Sequence, residues 1–278
     1  MSSVRQHTIR RAVSVSGTGI HTGARAEITC RPGPVDAGIV FVRPDQPHSP
    51  LRASPETVRG THRGVTLGAG SASVRTVEHL MAASAGLGIT NLLVEVRGVE
   101  VPILDGSAAP YCALLNGAGI TEQAGTIEPI VPGGVAWVGE GEATVLAVPA
   151  PYLRITYVVP LRHAALGVAQ VADVTLHDGV FVSEVAPART WGFADEVEKL
   201  RRQGLAAGAS LDNALGIGPA GYLNPPRMPD EPARHKILDL IGDLALLGRP
   251  LLAHVIAVGA GHGLHLELVR RLHNEYCT

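Results

Sequence analysis

The sequence predicts an α+β fold made of two similar halves. Three observations predict it. Strand-like runs punctuated by Gly and Pro open each half, helical stretches close each half, and that order occurs twice along the chain. The repeat is one of element order, with no convincing repeat of residues.

Each element follows from local pattern. Residues 8–45 read as strands joined by turns: TIRRAVSVSG, AEITCRPG and GIVFVRPD. A loop rich in Pro, His and Arg is expected at 46–64. SVRTVEHLMAASAG, 73–86, reads as a helix with Val77, Leu80, Met81 and Ala83 on its apolar face. NLLVEVRGVEVPI is strand-like and APYCALLNGAG a short helix. TEQAGTIEPIVPG, 121–133, reads as a linker because of its turn formers and prolines, which places the halves at 1–126 and 127–278. The second half offers GVAWVGE, ATVLAVP, LRITYVVP and GVFV as strands, then helices at about 193–203 and 232–248. LLAHVIAVG reads as a buried strand, with a last helix at about 263–274.

Composition narrows the function classes. With 278 residues, 46% of them hydrophobic and 17% charged, the chain can bury a sizeable core. A net charge of −2 does not advertise nucleic acid or an anionic membrane, and only 4% of residues are aromatic, too few for a base-stacking platform. Cys30, Cys112 and Cys277 are odd in number and widely spaced, which argues against a disulfide framework or a cysteine-rich zinc knuckle. MSSVRQHTIRRAV has no apolar signal core, and no run reaches a membrane-spanning length. The expectation is a soluble cytoplasmic protein without stable membrane insertion, still able to act on a lipid-like substrate.

The chemistry concentrates in RHKILDLIGD, where His235, Asp239 and Asp243 recur every four residues through an apolar helix. Residues four apart share one helix face with Cβ atoms about 5–6 Å apart. His235 and Asp239 can therefore reach one cation together, and zinc accepts both ligand types. Asp243 is placed to orient a histidine. On its own the pattern also suits a solvated face or a local hydrogen-bonded pair. His79 in TVEHLMAA is the candidate third ligand, and its neighbour Glu78 the carboxylate that metal-assisted hydrolysis needs. Adjacent residues on a helix point about 100° apart, so both border one site only where the helix end or edge lines it. In VGAGHGLH the glycines alternate and no GK[ST] follows, so neither phosphate-loop pattern applies. A histidine in such a loop suits a general acid, and equally a surface turn. GTGIHTG reads first as a hairpin turn, with His21 able to face a site.

Taken together, TVEHLMAA (76–83), PILDGSAAPY (102–111), ARTWGF (188–193), RHKILDLIGDL (234–244), GHGL (261–264) and GIHTG (19–23) resemble the motifs of the UDP-3-O-acyl-N-acetylglucosamine deacetylase family, in that family's order and over nearly the whole chain. The resemblance implies two α+β halves whose sheets sandwich the helices, each half with an insert, here near 48–70 and at about 192–227. The second insert would form a passage for a fatty acyl chain, with Trp191, Phe193, Leu200, Leu205 and Leu211 as candidate lining. It implies zinc on His79, His235 and Asp239, although iron(II) also suits a His2Asp set. Glu78 would take the proton of the attacking water, Thr190 would help stabilise the oxyanion, and His262 would protonate the leaving amine. Asp243 would hold His262, and Lys236 would meet the substrate near its diphosphate or reacting centre. The small-molecule substrate would be UDP-3-O-acyl-N-acetylglucosamine, and the reaction the committed step of lipid A biosynthesis.

Three positions depart from the family pattern at its nucleotide end: Ala143 in place of a lysine, Leu161 in place of an aromatic residue, and Ala164 where His163 would be followed by proline. His265 also stands where asparagine is frequent. Arg154 or Arg162 are the candidate replacements for the lost cation. These departures keep two other readings open: a paralogous zinc deacetylase acting on a different, non-UDP acylated amine or amino sugar, and a non-catalytic protein with a structural zinc or an acyl-binding role.

Overall fold

The computed structural model describes residues 3–277. Two five-stranded sheets form its frame, and they share one topology. In the first, the order is Val13–Thr18, Arg25–Pro32, Leu92–Arg97, Ile39–Val42, Leu51–Arg52. In the second it is Ala136–Glu140, Ala143–Pro149, Ala253–Val258, Arg154–His163, Gly167–Thr175. In each sheet the last strand in the sequence enters the centre, antiparallel to the second strand and parallel to the third.

The segment preceding each central strand is elaborated in the same way. A small three-stranded sheet comes first: Val58–Gly60, Thr66–Ala69 and Ala72–Arg75 in one half, Trp191–Phe193, Leu215–Gly218 and Gly221–Tyr222 in the other. Helix α1 (Glu78–Gly86) follows the first, helix α2 (Ala109–Ala118) follows the first central strand, and helix α3 (Ala194–Arg202) lies inside the second small sheet's segment. Helix α4 (Glu231–Leu244) follows that segment, and helix α5 (His262–Tyr276) follows the second central strand. The repeat of element order is therefore a repeat of topology, with α1 matching α4 and α2 matching α5.

The helices lie between the sheets. Alternate strand residues face inward and are buried: Ile28, Cys30, Phe41, Val94 and Val96 from the first sheet, Val145, Ala147, Ile155, Tyr157, Val255 and Ala257 from the second. Helices α1 and α4 pack against each other at the centre. Seven of the nine residues of α1 are buried, and twelve of the fourteen of α4. A helix buried all round has no solvated face. The polar residues of α4 therefore sit inside the protein and need partners there. No helix among the described residues is long and apolar enough to cross a membrane.

Four local expectations are corrected. The helix expected over 73–86 begins at Glu78, because Ala72–Arg75 pairs with Thr66–Ala69 and Thr76 takes a left-handed φ of 57° that turns the chain. Residues 46–64 are not wholly loop; they contain the short strands Leu51–Arg52 and Val58–Gly60. The stretch 121–133 is not a free linker: Ile120–Ile127 forms a strand against Val4–Ile9, and Ile130 bridges to Leu251. GVFV is not a strand. Phe181–Val185 forms a π-helical turn that buries Phe181 and Val185, four residues apart, against the core. The β-branched composition that suggested a strand was overridden by that packing.

Gly242 sets how closely the two central helices approach. A Cβ at this position would collide with the carbonyl oxygen of Glu78 and lie 2.9 Å from its carbonyl carbon, a backbone obstacle that cannot rotate aside. Gly242→Ala is expected to cost about 1–3 kcal/mol by overpacking. At roughly 2–4 °C per kcal/mol for a chain of this size, the melting temperature should fall by several degrees in a thermal denaturation experiment.

Candidate metal centre and active site

Each side chain of the site is placed by a helix end or a helix face. α1 begins at Glu78, so its N-terminal end, rather than its flank, lines the site. That start lets the adjacent Glu78 and His79 border one space, the condition that their spacing demanded. α4 brings His235 and Asp239 from one face, and α5 begins at His262, directly after the glycine loop.

His79, His235 and Asp239 converge. All three are buried, and their potential ligand atoms lie within 4.8 Å of one another. Asp239 Oδ1 is 3.3 Å from His235 Nε2 and 3.8 Å from His79 Nε2. His235 Nδ1 donates to the Ala188 carbonyl at 3.1 Å, which leaves Nε2 as its free electron pair. Lys236 Nζ donates to the other oxygen, Asp239 Oδ2, at 2.9 Å. Burial pushes the pKa of His79 down to about 3 and holds that of His235 below its ordinary value, so both rings are neutral and able to ligate. Burial opposes the charge of Asp239, but His235, Lys236, His262 and His79 hold its carboxyl far below the usual range. Two neutral imidazoles and one carboxylate, buried together, suit a divalent transition metal. The chain can therefore hold a metal here.

Glu78 faces the same space. Its Oε2 accepts the Val65 N–H at 2.9 Å, and burial pushes its carboxyl up to about 7 against the pull of His262. Gly64 passes so close that a Cβ there would lie 2.9 Å from Glu78 Oε1. Opposite stands His262. Its Nδ1 donates to Asp243 Oδ2 at 2.7 Å, and its Nε2 is 3.9 Å from Asp239 Oδ2. Burial works against a charge on His262, yet Asp243, Asp239 and Glu78 raise it to about 9. Asp243 stays below its usual range in spite of burial, because His262 and His265 both bond to it. A carboxyl raised towards neutrality beside an imidazole held cationic is an arrangement for a base and an acid.

The remaining candidates stand at the margin. The backbone of Thr190 is fixed by its N–H to Gly106 O at 2.7 Å and by Leu215 N–H to its own carbonyl at 2.8 Å. It lies two residues from the carbonyl that holds His235. Trp191 donates to Pro232 O at 3.1 Å and meets Phe193 edge to face, and Phe193 stacks on His163. His21 is not in the cluster. Its ring bonds to Arg63 O at 2.9 Å, and it lines a pocket of about 230 Å³ with Arg59, Gly64, Thr76 and Leu205. At the far end, Leu161 is buried at 5% exposure and belongs to the core, so it presents nothing for a base to stack on. Arg154 is excluded as a replacement cation. It is doubly bonded to Asp173 and pairs in register with His254, at the strand end away from His262. Arg162 pairs with Glu142 at the surface.

The matches to known proteins agree with this site. The sequence model described as LpxC, UDP-3-O-acyl N-acetylglycosamine deacetylase, matches residues 6–274. The chain belongs to the UDP-3-O-acyl-N-acetylglucosamine deacetylase family. It is 45% identical over 278 residues to a protein of that name from Myxococcus xanthus, covering 99% of this chain and 88% of the relative. It is 44% identical to the namesake from Thermosynechococcus vestitus (96% and 93% covered) and 42% identical to that from Trichormus variabilis (97% and 98%). Within this deacetylase family member, two features of the site were not read from the sequence. One is the buried ion pair Arg189–Glu231, 8% and 0% exposed, in which Glu231 also accepts the N–H groups of Arg189 and Arg227. It ties the ARTWGF stretch to the first turn of α4, forty-two residues on. The other is Glu100, which accepts the His21 and Thr22 N–H groups and the Thr22 and Thr76 hydroxyls and so anchors the GIHTG loop. Neither has a local signal, since each depends on pairing across the fold.

Removing one partner of the buried pair should be costly. Arg189→Met leaves Glu231 charged and unpaired, and is expected to destabilise the protein by about 3–5 kcal/mol in urea unfolding. For the metal, Asp239→Ala or His79→Ala should reduce bound metal, measured by elemental analysis of the purified chain, from about one ion to well below it.

Proposed function

We propose that the chain hydrolyses the N-acetyl group of UDP-3-O-acyl-N-acetylglucosamine in the cytoplasm, releasing acetate, with zinc as its metal, the committed step of lipid A biosynthesis. The observation that carries this reading is the convergence of His79, His235 and Asp239 with a base, Glu78, and an acid, His262, in one buried site of a family member. A structural zinc site takes four closed protein ligands. Three ligands beside a poised carboxylate favour catalysis over a structural role.

Zinc, when bound by His79, His235 and Asp239, supplies a Lewis acid that acidifies water and polarises a carbonyl. Glu78, raised towards neutrality, accepts the water proton as the nucleophile attacks the acetamide carbon. The Thr190 hydroxyl is proposed to donate to the oxyanion, an interaction that strengthens only as charge develops. His262 then gives a proton to the departing nitrogen, and Asp243 keeps that imidazole charged and aimed. Lys236 neutralises Asp239 through its bond to Oδ2 and stands beside the substrate's reacting end.

The acyl chain is assigned to the insert at about 192–227. Trp191 and Phe193 are half-buried against the core, none of the residues of α3 is buried, and Leu211 is 49% exposed, so the segment leaves part of its apolar surface uncovered. The first insert adds Gly64 and Val65 around Glu78.

Acetate release from the UDP-linked acyl sugar tests the reading. Glu78→Gln and His262→Ala should each lower kcat by about 10²–10⁴; turnover at the wild-type rate in either would overturn the roles given. Removing UDP from the substrate should lower kcat/KM strongly; equal rates would favour the non-UDP deacetylase suggested by Ala143, Leu161 and Ala164. The pH profile should be bell-shaped. Glu78 must be ionised, so activity is lost as pH falls through about 7, or lower where the cation favours its charge. His262 must be protonated, so activity is lost as pH rises through about 9.

A further inference from the structure

The proton donor His262 opens α5 at the end of a glycine-rich loop that does little to hold it. Gly259, with φ of 58°, Gly261 and Gly263 surround it, and glycine gives the backbone freedom rather than rigidity. The ring's own anchor is a single hydrogen bond, Nδ1 to Asp243 Oδ2 at 2.7 Å. Asp243 Oδ1 has no hydrogen-bond partner among the described residues. A carboxylate held at one oxygen by one donor can turn about its Cβ–Cγ bond, whose rotational preference is broad.

A second donor removes that freedom. His265, one helical turn beyond His262 on α5, is fully buried, and its Nδ1 bonds to the same Asp243 Oδ2, also at 2.7 Å. The two imidazoles are 5.9 Å apart and nearly perpendicular, so they approach the oxygen from different directions. The other nitrogen of His265, Nε2, is 2.9 Å from the hydroxyl of Tyr157. Tyr157 stands in the strand Arg154–His163, and its hydroxyl also lies 2.7 Å from the Ala260 carbonyl, two residues before His262, so its one proton is shared between that carbonyl and the accepting Nε2 of His265. One tyrosine thus grips both the ring that holds Asp243 and the backbone that carries His262.

We propose that His265, braced by Tyr157, is a positioning residue: it is the second donor to Asp243, fixing the carboxylate and through it the aim of the His262 ring. It does not touch the reacting atoms. The inference rests on the reading of His262 as proton donor.

Steady-state kinetics on the metal-loaded enzyme test it with His265→Leu, His265→Asn, Tyr157→Phe and, as reference, His262→Ala. His265→Leu removes the second donor. It should lower kcat about 10- to 100-fold, the scale of a misaimed catalytic group, while KM stays within about twofold and metal content is unchanged. His265→Asn places an amide N–H near the former Nδ1 and should recover most of kcat. Tyr157→Phe keeps the donor, loses the brace, and should fall between them. In an Asp243→Asn background, His265→Leu should add little, because both act through one carboxylate. Where His265→Leu fails to fold, the Asn variant and Tyr157→Phe carry the comparison. Wild-type kcat in His265→Leu, wild-type kcat in Tyr157→Phe, or His265→Asn as impaired as His265→Leu overturns the positioning role. Wild-type kcat in His262→Ala instead overturns the assignment of the acid on which the proposal rests.

Discussion

The close crossing of α1 and α4 is the constraint on which the site depends. Gly242 lets the backbone of α4 rest against the carbonyl of Glu78, and no other residue could occupy that position without parting the helices. At that distance, one helical turn separates the crossing from Asp239, and two separate it from His235. The first residues of α1 are Glu78 and His79 themselves. The contact that closes the core thus also sets the separation between His79 of one half and His235 and Asp239 of the other. A helix interface opened by a single methyl group would spread the three ligand atoms, and metal geometry tolerates such spreading poorly.

Electrostatics in this buried space are balanced by neighbouring side chains. Three carboxylates, Glu78, Asp239 and Asp243, face two cationic groups, Lys236 and His262, while His79, His235 and His265 are held neutral by burial. The balance is negative once Glu78 ionises, and a divalent cation is what such a cluster attracts. The same environment sets Glu78 and His262 apart. Glu78 rises because it is buried with few donors, and His262 rises because it is bonded to a carboxylate. Two environments a few ångströms apart thereby make opposite uses of burial.

What was legible in the sequence follows the range of the signal. The four-residue spacing of His235, Asp239 and Asp243 is local, and the structure confirms that they share the buried side of α4. Strand-like runs marked most strands of both sheets, although not the edge strands Leu51–Arg52 and Gly167–Thr175, nor that the central strands are the last to arrive. The start of α1 was misread because residues 73–77 carry helix-compatible composition while pairing as a strand and turning at Thr76. Tyr157 was invisible: along its strand it occupies an ordinary inward-facing position, and only the fold shows that its hydroxyl has two partners. The Arg189–Glu231 pair was likewise unreadable, because nothing near either residue names the other.

The duplicated topology has an energetic consequence. His79 comes from the helix that precedes one central strand, His235 and Asp239 from the equivalent helix of the other half. Neither half alone carries His79 together with His235 and Asp239, so a metal bound by all three binds only the docked state. Binding of that kind stabilises the docked state by RT ln(1 + [M]/Kd), about 4 kcal/mol at a thousandfold excess over Kd. A cation held by His79, His235 and Asp239 would therefore also join the halves. The packing that sets Glu78 beside His79 and a cation on these three side chains would favour the same arrangement of α1 on α4.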